Sequence, residues 1–291
     1  METGSCTICS WMVLREVMAM IRLKDDEFIQ LCDFMKTKYG INLSKKRILI
    51  EYRLMNTLNN EHISSYSQYL RLLKKDTGGK LEEELVNRLT TNYTFFMREP
   101  SHFQFIEEHI LPEADMHAPY HIWIAGCSSG QECYTLIMRL EDQRKRGVKL
   151  PEITITATDI STKALQEAQQ GEYPVEALDV LPRHWKHAYC QVHEERKTFT
   201  IRPFVKKQVK FVHHNLMEPY HRNYFQLILC RNVLIYFDEV SRLRIYENFA
   251  SSLKNRGYLI LGHAEMITQG YPSYEYLKSS VYRLKERQPY G

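Results

Sequence analysis

The stretch HIWIAGCSSGQE, residues 121–132, decides the fold. Ile122, Trp123, Ile124 and Ala125 form a short apolar run that breaks into the turn Gly126-Cys127-Ser128-Ser129-Gly130, and an amphipathic pattern begins near Gln131. A second β-rich run, Ile153 to Ala157, ends at Asp159. Strand, glycine turn, helix, strand and acidic residue, in that order, predict the opening of a nucleoside-binding α/β sheet. The glycines let a ligand approach the backbone, and the helix start offers unpaired N–H groups to an anion. An acid ending the second strand can accept ribose hydroxyls. Together these imply an adenosine-containing cofactor.

A glycine turn alone is weak evidence, because the pattern G-x-G-x-x-G is absent. Gly126-x-Ser128-x-Gly130 also fits the nucleophile elbow of α/β-hydrolases, with Asp159 and either His214 or His263 completing the order Ser, Asp, His. Two features count against a hydrolase. An elbow sits deep in a sheet after several strands, whereas the preceding hundred or so residues read as helical. The interval from Ser128 to Asp159 also suits adjacent strands of one βαβ unit.

At 291 residues the chain exceeds the usual single domain, and 44% hydrophobic residues suffice for a substantial core. Seven Cys without even spacing argue against a disulfide framework. Cys6 and Cys9 are formally C-x-x-C, but no second pair or His partner makes a zinc site, so no metal is expected. Reduced thiols imply a cytoplasmic protein. No apolar run reaches the roughly 18 residues of a membrane span, and the leader, residues 1–19, is too short and too charged at Arg15 and Glu16 for a signal peptide. The leader is otherwise uninformative. Nothing calls for a second copy, so a monomer is expected.

From 20 to 95 the pattern is helical. Phe28, Leu31, Cys32, Met35 and Tyr39 recur at helical spacing and Gly40 stops them. Ser44 is placed to cap a second helix, Ser65 to Leu73 predicts a third, and Leu81 to Leu89 a fourth. Residues 96–120 form a linker helix. From 121 to 291 strands alternate with helices: 121–126, 153–158, 209–213, 225–230 and 257–262 as strands, with helices near 130–145, 162–170 and 239–254. That rhythm predicts a parallel sheet. It breaks at 172–208, where Pro174, Pro182, Pro203 and the alternating Thr198 to Arg202 predict a small antiparallel β insertion.

Charge is uneven. Residues 20–75 hold eleven Lys/Arg against six Asp/Glu, a surplus of five, while the whole chain is +4. The default for Lys45, Lys46, Arg47, Arg53, Lys74 and Lys75 is a solvated helix face; the functional alternative is a docking face for an acidic partner. No aromatic residues interleave the charges as nucleic-acid binding would need.

Three more segments carry chemistry: Thr90 to Glu99, reading TTNYTFFMRE; Asn215-Leu216; and Cys230 to Phe237, reading CRNVLIYF. Packing accounts for Tyr93, Phe95 and Phe96 but not for the polar run and Arg98. Glu132, Asp159, Asn215 and Asn232 all fall at the carboxyl ends of predicted strands, where open α/β sheets bind ligands.

With G-H-x-E at Gly262 to Glu265, these segments in this order resemble the CheR-type protein-glutamate O-methyltransferases that modify chemotaxis receptors. The resemblance runs from Phe28 to Leu284. It implies an all-helical N-terminal domain, then a Rossmann-like S-adenosyl-L-methionine methyltransferase domain carrying the β insertion. It also implies that Asn92, Thr94, Arg98, Gly126, Glu132, Asp159, Asn215, Leu216, Arg231 and Asn232 contact the cofactor. Lys46, Arg47 and Arg53 would dock the substrate, the cytoplasmic helices of a chemoreceptor.

A glutamate side chain, with a pKa of about 4.3, is ionised at pH 7 and needs no general base to attack the methyl group. The enzyme supplies alignment and charge. Arg98 offers a fixed fork of donors to the carboxylate and Tyr236 a hydroxyl, while Glu132 favours a cationic methyl donor. Against the family's pattern, Cys133 replaces a Pro, Ala264 a Ser, and Asn56 and Thr57 stand where further Arg is common. The insertion also lacks the glycine-rich turn of members that grip a receptor's C-terminal peptide, which favours direct docking on the methylation helices. The rival readings are the same chemistry in a non-motility signalling system and a non-catalytic S-adenosylmethionine-binding module; retention of Arg98 and Tyr236 speaks against the latter.

Overall fold

The structure is a computed structural model and describes residues 21–267, 271 and 273–286. The leader and its C-x-x-C lie outside them. The chain divides into two compact units that interleave in sequence: Leu43–Leu89 with the chain up to Met35, and Lys36–Asn42 with Thr90 onward. No described helix is long and apolar enough to cross a membrane.

The first unit is helical. Helix α1 (Asp25–Tyr39) is followed by α2 (Arg47–Asn60), α3 (Tyr66–Lys75) and α4 (Lys80–Leu89). Leu31, Ile50, Leu54, Tyr66, Tyr69, Leu70, Leu85 and Leu89 form their buried faces. Ser65 caps α3 by accepting the Gln68 N–H at 3.2 Å. Ser44 does not cap α2, contrary to expectation: that helix starts three residues later, with Lys46 in the capping position and no side-chain bond. Gly40 does end α1, and its φ of +71° is the left-handed stop that glycine permits.

In the second unit, α5 (Pro100–Phe105) runs on through a π-helical turn, Ile106–Ile110, to the sheet. Strands β1 (Tyr120–Ala125) and β2 (Ile153–Asp159) flank α6 (Gln131–Lys145), and α7 (Thr162–Gln170) follows. The insertion holds β3 (Glu172–Pro174), α8 (Arg183–Tyr189), β4 (Cys190–His193), β5 (Thr198–Ile201) and α9 (Pro203–Lys206). Its strands form a separate antiparallel sheet ordered β3-β5-β4. Next come β6 (Val209–His213), β7 (Phe225–Cys230), α10 (Glu239–Ser252), β8 (Leu253–Leu261), β9 (Tyr274–Lys278) and β10 (Val281–Leu284). The main sheet is ordered β6-β2-β1-β7-β8-β10-β9. Five strands are parallel, but β10 pairs antiparallel with β8 and with β9, so the sheet is mixed.

Central strands buried on both faces must be apolar at every position. In β1, Ile122 and Ile124 enter one core with Leu227, Leu229 and Ile260, while Trp123 and Ala125 enter the other with Ile228, Leu259 and Leu261. That registration brings the ends of β1, β2, β6 and β7 to one edge, where the turns carrying the chemistry emerge.

The last turn of α1 and the segment after it, residues 36–42, belong to this unit. Ile41 bridges Phe237, the Asn42 N–H donates to the Tyr236 carbonyl at 2.8 Å, and Lys36 pairs with Asp238 at 2.8 Å. Asp238 also caps α10 through the Ser241 N–H at 2.9 Å. The Lys36 hydrogen bond and the Ser241 N–H hold the Asp238 carboxyl down at about 2. We expect Asp238→Ala to lose about 1 kcal/mol of stability. Because the folded value is depressed, the gap is present above about pH 4 and closes as pH falls towards 2. Urea unfolding of both proteins at neutral and acid pH measures it.

Candidate cofactor and methyl-transfer site

The glycine turn follows β1 with three left-handed residues, Gly126, Ser128 and Gly130. The glycines serve the protein first. A Cβ on Gly126 would meet Val233 at 2.4 Å, and one on Gly130 would meet Ala168 at 2.9 Å. Neighbouring side chains thus occupy the Cβ side of both glycines. The Gly126 N–H is likewise taken, by the Thr158 carbonyl at 2.8 Å.

Asp159 ends β2 almost fully buried. Its carboxylate accepts the Ser128 N–H at 2.8 Å on one oxygen and the Ser161 N–H at 2.9 Å on the other. The carboxylate keeps acceptor capacity for a hydroxyl. Burial pushes this carboxyl up, opposed by backbone N–H groups of Ser161, Ser128 and Ile160. Asn92 braces the same corner, donating to Ser161 Oγ at 3.2 Å while its carbonyl accepts from Ser128 Oγ at 2.8 Å. Ser128 therefore has its hydroxyl on a carbonyl, and His263 sits instead beside Ser101 at 3.4 Å. The hydrolase triad is not assembled.

Arg231 is the hub. Its side chain is 0% exposed. Nε donates to His102 Nδ1 at 3.1 Å, Nη1 to Glu132 at 2.7 Å, and Nη2 to Glu99 at 3.1 Å and to the Arg98 carbonyl. These bonds commit the guanidinium donors to protein groups. Burial pushes the Glu132 carboxyl up and Arg231 pulls against it. For Glu99, burial is outweighed by Arg231, Asn232 and the His263 N–H, and the carboxyl stays below its ordinary value. Burial, then the Arg231 charge, push His102 down to about 4.

Glu99, His102 and His263 bring ligand atoms within 4.8 Å of one another. A cation there would have to displace the Arg231 donor from His102 Nδ1 and sit against the guanidinium, so the donor set does not suit a metal.

Asn232 follows β7 with φ +60°. Its Nδ2 donates to Glu99 at 3.2 Å, and its Oδ1 is buried without a partner among the described residues. Asn215 is committed otherwise: Nδ2 donates to the Lys38 carbonyl at 2.9 Å and Oδ1 accepts the Met217 N–H at 3.1 Å. Leu216 is a core residue whose carbonyl accepts from Asn248. Thr94 is half-buried. Arg98 is half-buried, donating to the Tyr93 carbonyl at 3.1 Å and lying over the Phe95 ring at 5.4 Å. Tyr236 is half-buried, and its hydroxyl forms no hydrogen bond among the described residues. Of the aromatics in that run only Phe96 packs inside; Tyr93 is 73% and Phe95 43% exposed, which corrects the packing account.

In the helical unit the basic residues divide. Arg47 binds Asp25 and the Leu23 carbonyl and covers Phe28, and Arg53 donates to the Arg88 carbonyl at 3.1 Å. Lys46 stays exposed. Sequence reasoning assigned no role to Glu99, His102 or Glu265; Glu99 and Glu265 stood inside quoted motifs, and His102 carried no signal.

Two family profiles cover the chain: "CheR methyltransferase, all-alpha domain" matches residues 26–90 and "CheR methyltransferase, SAM binding domain" matches 92–283. The chain belongs to the CheR methyltransferase family. It is similar to the chemotaxis protein methyltransferase of Borreliella burgdorferi, 37% identical over 90% of this chain and 95% of that protein. It is also similar to chemotaxis protein methyltransferase 1 of Vibrio cholerae, 34% identical over 92% and 100%, and to the Listeria monocytogenes protein, 30% identical over 85% and 93%. The chain is thus a methyltransferase, and S-adenosyl-L-methionine is its cofactor. The residues suit that group. The orphaned Asn232 acceptor fits an ammonium donor and the lone pairs of Asp159 fit hydroxyls.

His102 sets a pH dependence for this CheR-family protein. The unfolded chain takes up a proton on this residue below about pH 6.5, the folded chain only near 4, so acidification through that window destabilises the fold. His102→Gln can accept from Arg231 and donate to the Ser279 carbonyl without titrating. Unfolding free energies at pH 7, 6 and 5 should fall less steeply in the variant than in the parent.

Proposed function

We propose that the chain methylates glutamate side chains on the cytoplasmic helices of chemotaxis receptors, setting receptor adaptation against an opposing esterase. The chemotaxis assignment of its relatives supports the partner class. One observation carries the chemistry: an acidic cofactor edge lies in the same domain as two donors with capacity to spare, Arg98 and Tyr236. Glu132, held by Arg231, places an acidic group at the proposed cofactor edge, which favours a cationic group.

When bound, the cofactor supplies a sulfonium-activated methyl group. Asp159 would hold the ribose hydroxyls and Asn232 Oδ1 the ammonium. Glu132, fixed by Arg231, biases the site towards the charged methyl donor over the neutral thioether left after transfer. Asn92 and Asn215 act mainly as braces. Arg98 orients the substrate carboxylate by one edge of its guanidinium, and the Tyr236 hydroxyl donates to one oxygen while the other attacks. Too many donors would weaken the nucleophile, so a single arginine edge and one hydroxyl suit an already ionised group. Lys46 remains the free docking cation, while Arg47 and Arg53 shape the helical unit.

The test is transfer of labelled methyl to receptor helix fragments, followed by alkali. A carboxyl ester releases volatile methanol, and label that resists alkali would refute esterification. Arg98→Ala and Tyr236→Phe should each lower kcat by roughly 100-fold without shifting the unfolding midpoint. Asp159→Asn should weaken S-adenosylhomocysteine binding by about 1–3 kcal/mol in calorimetry; unchanged affinity removes Asp159 from the ribose.

A further inference from the structure

The loop from Arg231 to Phe237 carries three of the proposed functional groups, and its shape is not one the residues would choose alone. Asn232 is left-handed at φ +60° without being glycine. Asparagine adopts this region more readily than other non-glycine residues. One side chain holds the backbone there. Glu265, 4% exposed, accepts the Asn232 N–H at 2.8 Å and the Gly262 N–H at 2.7 Å on one oxygen, and the Ile235 N–H at 3.2 Å on the other. It therefore ties the end of β8 to both ends of the short turn that leads into Tyr236.

The clamp is itself braced. The Glu265 N–H donates to the Gly262 carbonyl at 2.9 Å, and the Glu265 carbonyl accepts from Ser280 Oγ at 3.4 Å at the tip of the β9–β10 hairpin. No ion pair involves Glu265 among the described residues; its partners are N–H dipoles. There is no slack beside it, since a Cβ on Gly262 would meet the Asn232 nitrogens at 2.7 and 2.8 Å and Glu265 Oε2 at 2.9 Å. Glu99 completes the hold on Asn232 from the side-chain end.

We infer that Glu265 is a positioning residue for methyl transfer: its carboxylate holds the 232–236 turn so that Tyr236 and Asn232 face their ligands. The inference rests on the roles proposed above for those two residues. It gives the last acid of G-H-x-E a task that neither cofactor contact nor substrate contact requires. A buried carboxylate that accepts three backbone N–H groups cannot be exchanged for an amide without presenting a donor to a donor.

The experiment is a double-mutant cycle in the full chain, with labelled methyl transfer to a receptor helix fragment as the readout. Tyr236→Phe, Glu265→Gln and the double variant are compared for kcat, for KM of the fragment, and for unfolding midpoint. Glu265→Gln should lower kcat about ten- to a hundred-fold with KM for the fragment changed by less than about threefold. In the Tyr236→Phe background the same change should cost clearly less than in the parent, because part of its effect passes through the Tyr236 hydroxyl. Additive losses, or an unchanged kcat in Glu265→Gln, overturn the inference. If Tyr236→Phe alone leaves kcat intact, the reading of Tyr236 fails, which is distinct from failure of Glu265. Should Glu265→Gln not fold, Gly262→Ala decides, since its methyl group presses on the same contact while keeping the carboxylate. The same non-additivity with Tyr236→Phe is then expected, and a wild-type kcat would overturn the clamp.

Discussion

The arrangement at the sheet's carboxyl edge depends on one buried cation. Arg231 follows β7 with its side chain out of solvent, and its donors reach Glu99, Glu132, His102 and the Arg98 carbonyl. A guanidinium with that burial is tolerable only when its donors are met, because desolvation of a lone charge outweighs most single contacts. The requirement runs outward. Glu132 must stand in the first turn of α6, Glu99 must bend back in a left-handed conformation, and His102 must stay neutral with its Nδ1 lone pair aimed inward.

Backbone strain collects at the same edge. Met97, Glu99, Ser128 and Asn232 all have positive φ without being glycine. Each is fastened by a bond to another element: the Met97 N–H to Thr135, Glu99 to Arg231, the Ser128 N–H to Asp159, the Asn232 N–H to Glu265. Strain held by cross-links of this kind is what preorganisation looks like in a backbone. It keeps the turns of three separate segments in fixed relation.

The central sheet was legible because its pattern is short-range. β1 must be apolar from Ile122 to Ala125, the turn must contain residues able to adopt positive φ, and β2 must end in an acid; all lie within forty residues. The β9–β10 hairpin was missed because its turn is Ser279-Ser280, both at positive φ, where glycine or asparagine would be the usual signal. Capping failed at α2 because Ser44 lies inside a turn that the Lys46 N–H closes on the Leu43 carbonyl, so the helix begins only at Arg47. Glu265 and His102 act on partners 33 and 129 residues away in Asn232 and Arg231, a separation that no local periodicity encodes. Resemblance could transfer contacts to Arg231 and Asn215, but not that their side chains are already spoken for.

The interleaved units have a consequence for dissection of the chain. Residues 36–42 are grouped with the catalytic half, so the polypeptide passes between halves at 35/36, at 42/43 and again at 89/90. Cutting after residue 90 would strip the catalytic half of the β-bridge at Ile41 and of the Asn42 N–H that donates to the Tyr236 carbonyl. Isolating that half therefore calls for excising 43–89 and rejoining the ends, not for truncation.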